Sequence, residues 1–373
     1  MWYTLVLGIA LLAAAVYAGL RLYAPLGGRP TADDMRRRRQ SGRYDQARRR
    51  FAYPLPTPMT MNAKDMLGVL GQMIAGQPQG KPSEPLDVAR YEPQPLAAAG
   101  KTGPRITWFG HSAVLIETDG MTLFLDPMLG PSPSPVPALG GRRFSDRLPA
   151  RIEELPRLDA VLLSHDHYDH LDYGTIRRIR DRVGRFYVPL GVGAHLERWG
   201  VDPGRITECD WWEEALLGQL TIACTPARHF SGRSLGDRDA TLWCSWVIRS
   251  PHASIFFSGD SGYGPHFEEI GARYGPFDLT CMECGQYDDR WALIHMRPEE
   301  TVQAHRDVGG GVLLPIHWGA FKLALHTWTD PIERVRTAAA KHGARLTTPR
   351  IGETFAVGEP ELPAATWWRP ELG

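Results

Sequence analysis

Nine consecutive residues constrain this chain more than any others. Ser164 to Asp172 read S-H-D-H-Y-D-H-L-D and follow directly on the apolar run Asp159 to Leu163 (D-A-V-L-L). A short apolar run bounded by polar residues reads as a fully buried strand. Alternation along extended chain points His165 and His167 the same way, so both imidazoles can bind one ion. Asp169 and His170 then turn to supply a second ion beside it. Imidazole with carboxylate suits zinc, although iron and manganese also accept this set. Four such donors at the end of one apolar strand have no explanation in packing.

Two ions need more than four ligands, and the chain offers others where apolar runs end. His229 follows Leu220 to Thr225, Asp260 follows Ser254 to Ser258, and His317 follows Val312 to Pro315. Each alone is a weak signal; three in order, each at a strand-to-loop junction, form a set. Further strands are expected at Ile106 to Ile116, Met121 to Leu125, Arg185 to Leu190 and Leu242 to Ile248, with Asp119-Gly120 as a hairpin turn. Helices fit Pro265 to Tyr274, Pro298 to Val308 and Pro331 to His342, each with proline at or near its first turn. A helix capped by Asp172 follows the histidine loop. Buried strands alternating with helices predict a layered α/β domain.

These residues resemble the metallo-β-lactamase superfamily, whose H-x-H-x-D-H signature stands here as His165 to His170. Within it the chain is similar to the N-acylphosphatidylethanolamine-hydrolysing phospholipase D group and its bacterial relatives. The segments that carry the similarity include I-T-W-F-G-H-S-A-V-L-I-E (Ile106 to Glu117), D-W-W-E-E (Asp210 to Glu214), L-W-C-S-W (Leu242 to Trp246), S-G-D-S-G-Y (Ser258 to Tyr263), R-P-E-E-T-V (Arg297 to Val302) and P-I-H-W-G-A-F (Pro315 to Phe321). The resemblance implies a four-layer αββα fold. It also implies two zinc ions, with His165, His167 and His229 on the first, Asp169, His170 and His317 on the second, and Asp260 bridging both. Departures fall in residues 27–103, in the N-terminus and in C-M-E-C-G-Q-Y (Cys281 to Tyr287), which puts lipid specificity in question.

Met1 to Leu20 contain no charged side chain, and about 20 apolar residues span a bilayer core. Arginines follow densely, at 21, 29, 36–39, 43 and 48–50. A single-pass helix in the inner membrane, with the rest of the chain cytoplasmic, is the expectation from the positive-inside rule. A cleaved signal peptide competes, and Val16-Tyr17-Ala18 loosely fits its cleavage site. The expected organisation is an anchor over residues 1–25, a basic Pro/Gly-rich arm over 26–104, the hydrolase domain over 105–357 and a tail over 358–373. Lys+Arg and Asp+Glu both number 42, and this zero net charge argues against a nucleic-acid partner. The five cysteines form no even disulfide framework and read as reduced thiols, the role of Cys281 and Cys284 being open.

The function these features predict is phosphodiester hydrolysis on a membrane phospholipid at the bilayer, of phospholipase D type, by a protein that can form a homodimer. Asp169 and His295 are the expected catalytic residues, His295 serving the leaving group. His111 and His326 are candidates to orient ligands from behind, and Glu283, Gln286 and Tyr287 to wall the substrate site. His195, His252, His305 and His342 read as surface residues. Trp211-Trp212 and Trp367-Trp368 read mainly as packing, with a lipid entrance as the alternative. A sugar-phosphate lactonase, another phosphodiesterase, a nuclease and a non-catalytic membrane scaffold are the competing functions. The extra carboxylate at Asp169 and a bridging Asp260 argue against β-lactam hydrolysis.

Overall fold

In the computed structural model, residues 2–58, 61, 63–93, 103–234 and 236–369 are described. The chain opens with helix α1 (Trp2–Leu22) and helix α2 (Ala32–Gln40), followed by a ribbon of β1 (Tyr44–Asp45) and β2 (Arg50–Phe51) and by helix α3 (Ala63–Ala75). Two seven-stranded sheets then form the body. The first is built from β3 (Arg105–Trp108), β4 (Val114–Thr118), β5 (Met121–Leu125), β6 (Leu158–Leu162), β7 (Val183–Pro189) and β8 (Ile206–Cys209). The second contains β9 (Glu214–Leu217), β10 (Leu220–Thr225), β11 (Ser245–Arg249), β12 (Ser254–Phe257), β13 (Phe277–Glu283), β14 (Gly310–Ile316) and β15 (Arg345–Leu346). The last strand, β16 (Thr354–Ala356), returns to pair with β3 and closes the first sheet's edge. Both sheets share one plan: antiparallel pairs at one side pass into parallel pairs at the other.

Strand faces divide with period two. Ile106, Trp108, Ile116, Leu123, Leu125, Ala160 and Leu162 point inward and meet Ile222, Cys224, Trp246, Ile248, Ile255 and Phe257 of the other sheet. The opposite faces carry Leu115, Phe124, Val161 and Phe186, covered by Ile176 and Ile179 of helix α4 (Tyr173–Ile179) and Leu196 of helix α5 (Gly193–Arg198). Helices α6 (His266–Tyr274), α7 (Pro298–Asp307) and α8 (Asp330–His342) cover the second sheet through Phe267, Ile270, Val302, Ile332 and Val335. The result is the expected order of helices, sheet, sheet, helices. Strands buried on both faces explain why these runs read as continuously apolar.

Several expectations change. The segment Ile106 to Ile116 is a hairpin, β3 and β4, because the chain turns at Gly110 and His111, which adopts a left-handed φ of 53°. The Asp119-Gly120 turn forms as expected, with φ of 48° and 74°, the pair a type I′ hairpin requires. Among the described residues no helix is long and apolar enough to cross a membrane, a span needing about twenty apolar residues. That finding overturns the single-pass anchor and the inner-membrane location built on it. His195 and His305 are buried rather than on the surface, bonded to Asp166 and to Thr280. All five cysteines are buried and free.

The arm over residues 23–57 is laid on the domain by specific bonds. Trp199 Nε1 and Arg198 Nη1 donate to the carbonyls of Ala24 and Gly27 at 2.8 and 2.9 Å. The Gly28 amide donates to His195 Nδ1 at 2.9 Å. Arg38, only 3% exposed, donates to the carbonyls of Gly191 and Ala240. A β-carbon at Gly28 would stand 1.7 Å from the Ala194 carbonyl oxygen, so only glycine lets the arm approach this closely. Gly28→Ala is therefore expected to lower unfolding free energy by about 1–3 kcal/mol, measured by urea denaturation. Burial also pushes His305 down to about 4. It stays neutral in the fold, while the unfolded chain takes up a proton below pH ~6.5. Stability is thus lost as pH falls from about 6.5 toward 4, by up to ~3 kcal/mol from this group. His305→Gln should flatten that part of the pH–stability curve.

A candidate dinuclear metal centre

The loops that leave the strand ends bring their polar residues to one place. β3 ends before His111, β5 before Asp126, β6 before the His165–His170 loop, β10 before His229, β12 before Asp260 and β14 before His317. His317 and Asp126 take left-handed φ values of 66° and 40°, each of which costs on the order of 1 kcal/mol and turns the side chain sharply at the strand end.

Two donor clusters result. In the first, His165 Nε2 lies 2.9 Å from His167 Nδ1, which lies 3.2 Å from His229 Nε2. In the second, Asp169 Oδ2 is 3.4 Å from both His170 Nε2 and His317 Nε2. Asp260 Oδ2 stands between them, 3.2 and 3.1 Å from His170 and His317 and 3.8 Å from His165 and His229. Donors around one tetrahedral ion at bond lengths of ~2.0–2.1 Å lie roughly 3.3 Å apart, and both clusters match that spacing.

The partners behind these rings fix which nitrogen faces inward. His229 Nδ1 donates to the Ile294 carbonyl at 2.9 Å and His170 Nδ1 to Asp126 Oδ2 at 2.7 Å. Ser164 donates its hydroxyl to Asp126 and accepts from His165 Nδ1 at 2.9 Å. Each of these rings turns its other nitrogen to the centre, and His170 Nε2 and Asp260 Oδ1 are buried atoms with no hydrogen-bond partner among the described residues. Charge agrees. Burial holds His165, His167 and His229 below the usual histidine range. Burial also opposes charge on His170 and His317, yet the Asp260 and Asp169 carboxylates outweigh it and hold both well above that range. The two carboxylates stay ionised against burial through the same neighbours. Bound cations would supply this positive charge directly. Geometry, orphaned atoms and charge all fit two metal ions.

The remaining candidates sit around this centre in different ways. His111 donates from Nε2 to Asp169 Oδ2 at 2.9 Å, and its ring centre lies 4.3 Å from that of His317, tilted by 42°. His295 lies at the rim, its Nδ1 3.1 Å from Glu283 Oε2, with its ring 5.0 Å from that of His229. Glu283 has no exposed surface; it accepts the Met296 amide at 2.8 Å and stands behind His295 and His317 rather than on an open wall. Gln286 does line the cavity, and the His326 Nε2 accepts the Gln286 amide at 2.8 Å, holding that turn. Tyr287 stacks on His326 and bonds Asp330, away from the cavity. Trp108, Trp318 and Trp367 stack on one another, so the C-terminal segment packs against the residue that follows His317.

Reading the sequence passed over Asp126, which ends β5 as Asp260 ends β12. The strand-end rule would have found it. It also passed over the Asp166 carboxylate, which accepts from Gly232, Thr241 and His195 and pins the loop between His165 and His167. The cavity above the centre has a volume of about 250 Å³, and beside the donors it is lined by the apolar Met61, Phe230, Trp291, Ile294 and Leu323.

Residues 123–318 match the family model for a β-lactamase superfamily domain. An uncharacterized protein of Mycobacterium tuberculosis is 40% identical over 314 residues, covering 83% of each chain. N-acyl-phosphatidylethanolamine-hydrolyzing phospholipase D 1 of Caenorhabditis elegans is 33% identical over 235 residues, 60% of this chain and 66% of that one. Among solved structures, the diiron β-hydroxylase CmlA of Streptomyces venezuelae superposes with a TM-score of 0.51 at 22% identity, over 71% of this chain and 55% of that one. Replacing Asp126 by Asn leaves one acceptor oxygen where the Ser164 amide and His170 Nδ1 each have their own, and is expected to weaken metal binding about 10–100-fold in chelator competition while the chain stays folded.

Proposed function

Since the chain belongs to the metallo-β-lactamase superfamily and is a hydrolase of that fold, we propose that it is a dinuclear zinc phosphodiesterase of phospholipase D type. Its substrate on this reading is N-acylphosphatidylethanolamine, released as N-acylethanolamine and phosphatidate. The observation that carries the reading is the mixed lining of the cavity. Imidazoles and carboxylates share it with the apolar Met61, Phe230, Trp291, Ile294 and Leu323. A phosphodiester attached to acyl chains has that same mixed character. The relationship to the worm phospholipase D supports it. Zinc suits the imidazole–carboxylate set, and iron is the alternative, as in the diiron Streptomyces protein.

Two divalent cations held by His165, His167, Asp169, His170, His229, Asp260 and His317 would make water a nucleophile at neutral pH and polarise a phosphoryl oxygen. The chain's own groups do the rest. Asp169, tied to His111, orients the attacking water with its second oxygen. Water adds to phosphorus and the bond to the ethanolamide oxygen breaks. Glu283 holds His295 through Nδ1, which leaves Nε2 to deliver a proton to that oxygen. The apolar lining keeps acyl chains over the reacting phosphate.

Purified protein given N-acylphosphatidylethanolamine should release N-acylethanolamine and phosphatidate in equal amounts by mass spectrometry, and His167→Ala should release neither. His295→Ala should lower turnover about 10²–10⁴-fold with metal content unchanged. No hydrolysis by a fully metal-loaded protein would reject the substrate, and metal loss in His295→Ala would reject the proton-donor role.

A further inference from the structure

Helix α3 divides by face in a way the catalytic centre does not require. Asp65, Val69 and Met73 recur every four residues and are half-buried toward the domain. Met66, Leu67 and Leu70 are 58, 69 and 53% exposed. The inward face belongs to the active site: Val69 packs with Met61 and Phe230 on Trp291, Ile294 and Ala324. Four of those residues also line the catalytic cavity. The exposed apolar ridge therefore stands one helix thickness from its mouth. Across Phe230 and Ile294 lies a second cavity of about 310 Å³, which shares His229 with the first and is lined by Arg48, Arg50 and Arg238. Leu55, 43% exposed, sits on its rim. Arg48, Arg49 and Arg50 are all exposed.

We propose that this face is a docking surface for a lipid bilayer with anionic headgroups, α3 lying in the interface and the arginines beside it contacting phosphates. The inference rests on the phospholipid reading above and says how such a substrate reaches the cavity without a membrane span. Charge selects the occupant. A helix that shows leucine and methionine outward and is flanked by arginines matches an interfacial helix, whose apolar face enters the headgroup boundary while basic neighbours meet anionic lipid. Docked this way, the cavity mouth opens at the depth of the phosphates, and acyl chains meet Met61 and Phe230 first.

The test uses the full chain and vesicles of phosphatidylcholine mixed with phosphatidylglycerol, with N-acylphosphatidylethanolamine included where phosphatidate release is read. Hydrogen exchange followed by mass spectrometry should slow in peptides covering 63–76 when vesicles are added. Leu67→Glu with Leu70→Glu should weaken vesicle partition at least about tenfold in sedimentation, because both leucines leave the apolar layer. Arg48→Glu with Arg50→Glu should weaken partition to the mixed vesicles and leave partition to pure phosphatidylcholine unchanged. Exchange over 63–76 that ignores vesicles overturns the proposal. So does a concentration-dependent dimer that the leucine variant dissociates, since a second copy would then be the occupant. Protection of α3 without phosphatidate release retains the docking surface and rejects the substrate. Release from vesicles with α3 unprotected does the reverse.

Discussion

Asp169 and Asp260 place two ionised carboxylates in a pocket walled by protein, and the rest of the domain is arranged around that demand. Their charge is tolerated because His170 and His317 face them at 3.1–3.4 Å, and because the spacing among all seven donors leaves room for cations. Imidazoles can stand so close only if each is held from behind. Ile294 holds His229, Asp126 holds His170, Ser164 holds His165, and the Gly285 carbonyl holds His317. Two sheets with their strand ends at one edge are a direct way to bring so many short loops together, which is why the layered core and the centre are one construction.

The parts of this arrangement legible in the sequence are those written locally. Apolar runs ending in histidine or aspartate mark His165, His167, Asp169, His170, His229, Asp260 and His317. The layered fold followed from the same runs. What could not be read depends on contacts distant in the chain. His111 is legible as a residue that orients a ligand, but the hairpin turn that carries it is not, because Ile106 to Ile116 reads as one strand. Glu283 lies within the Cys281–Cys284 C-x-x-C and reads as a wall residue, but β13 carries it into the core, where a loop closing over twelve residues sets His295 against it. His195 looks like any helix-surface histidine until the arm delivers the Gly28 amide to it.

The arm itself shows how a stretch without strong periodicity acquires a defined path. Its residues contribute few core side chains and many backbone carbonyls, which Arg198, Trp199 and Arg233 recognise. Arg233 is the most connected of these: it bonds the Pro25 carbonyl on one side and the carbonyls of Asp166 and Leu171 on the other. A segment far from the catalytic domain in sequence is thereby one side chain away from the histidine loop.

The donors are divided between the two sheets. The first supplies His165, His167, Asp169 and His170, and the second supplies His229, Asp260 and His317. Each ion would thus be a rivet through the seam of the molecule, and ligand energy spent there is energy of holding the halves together. In a cell short of metal, the seam would open more often and offer its buried strands to proteases. The abundance of this protein would then follow metal supply even where its gene is expressed at a constant rate.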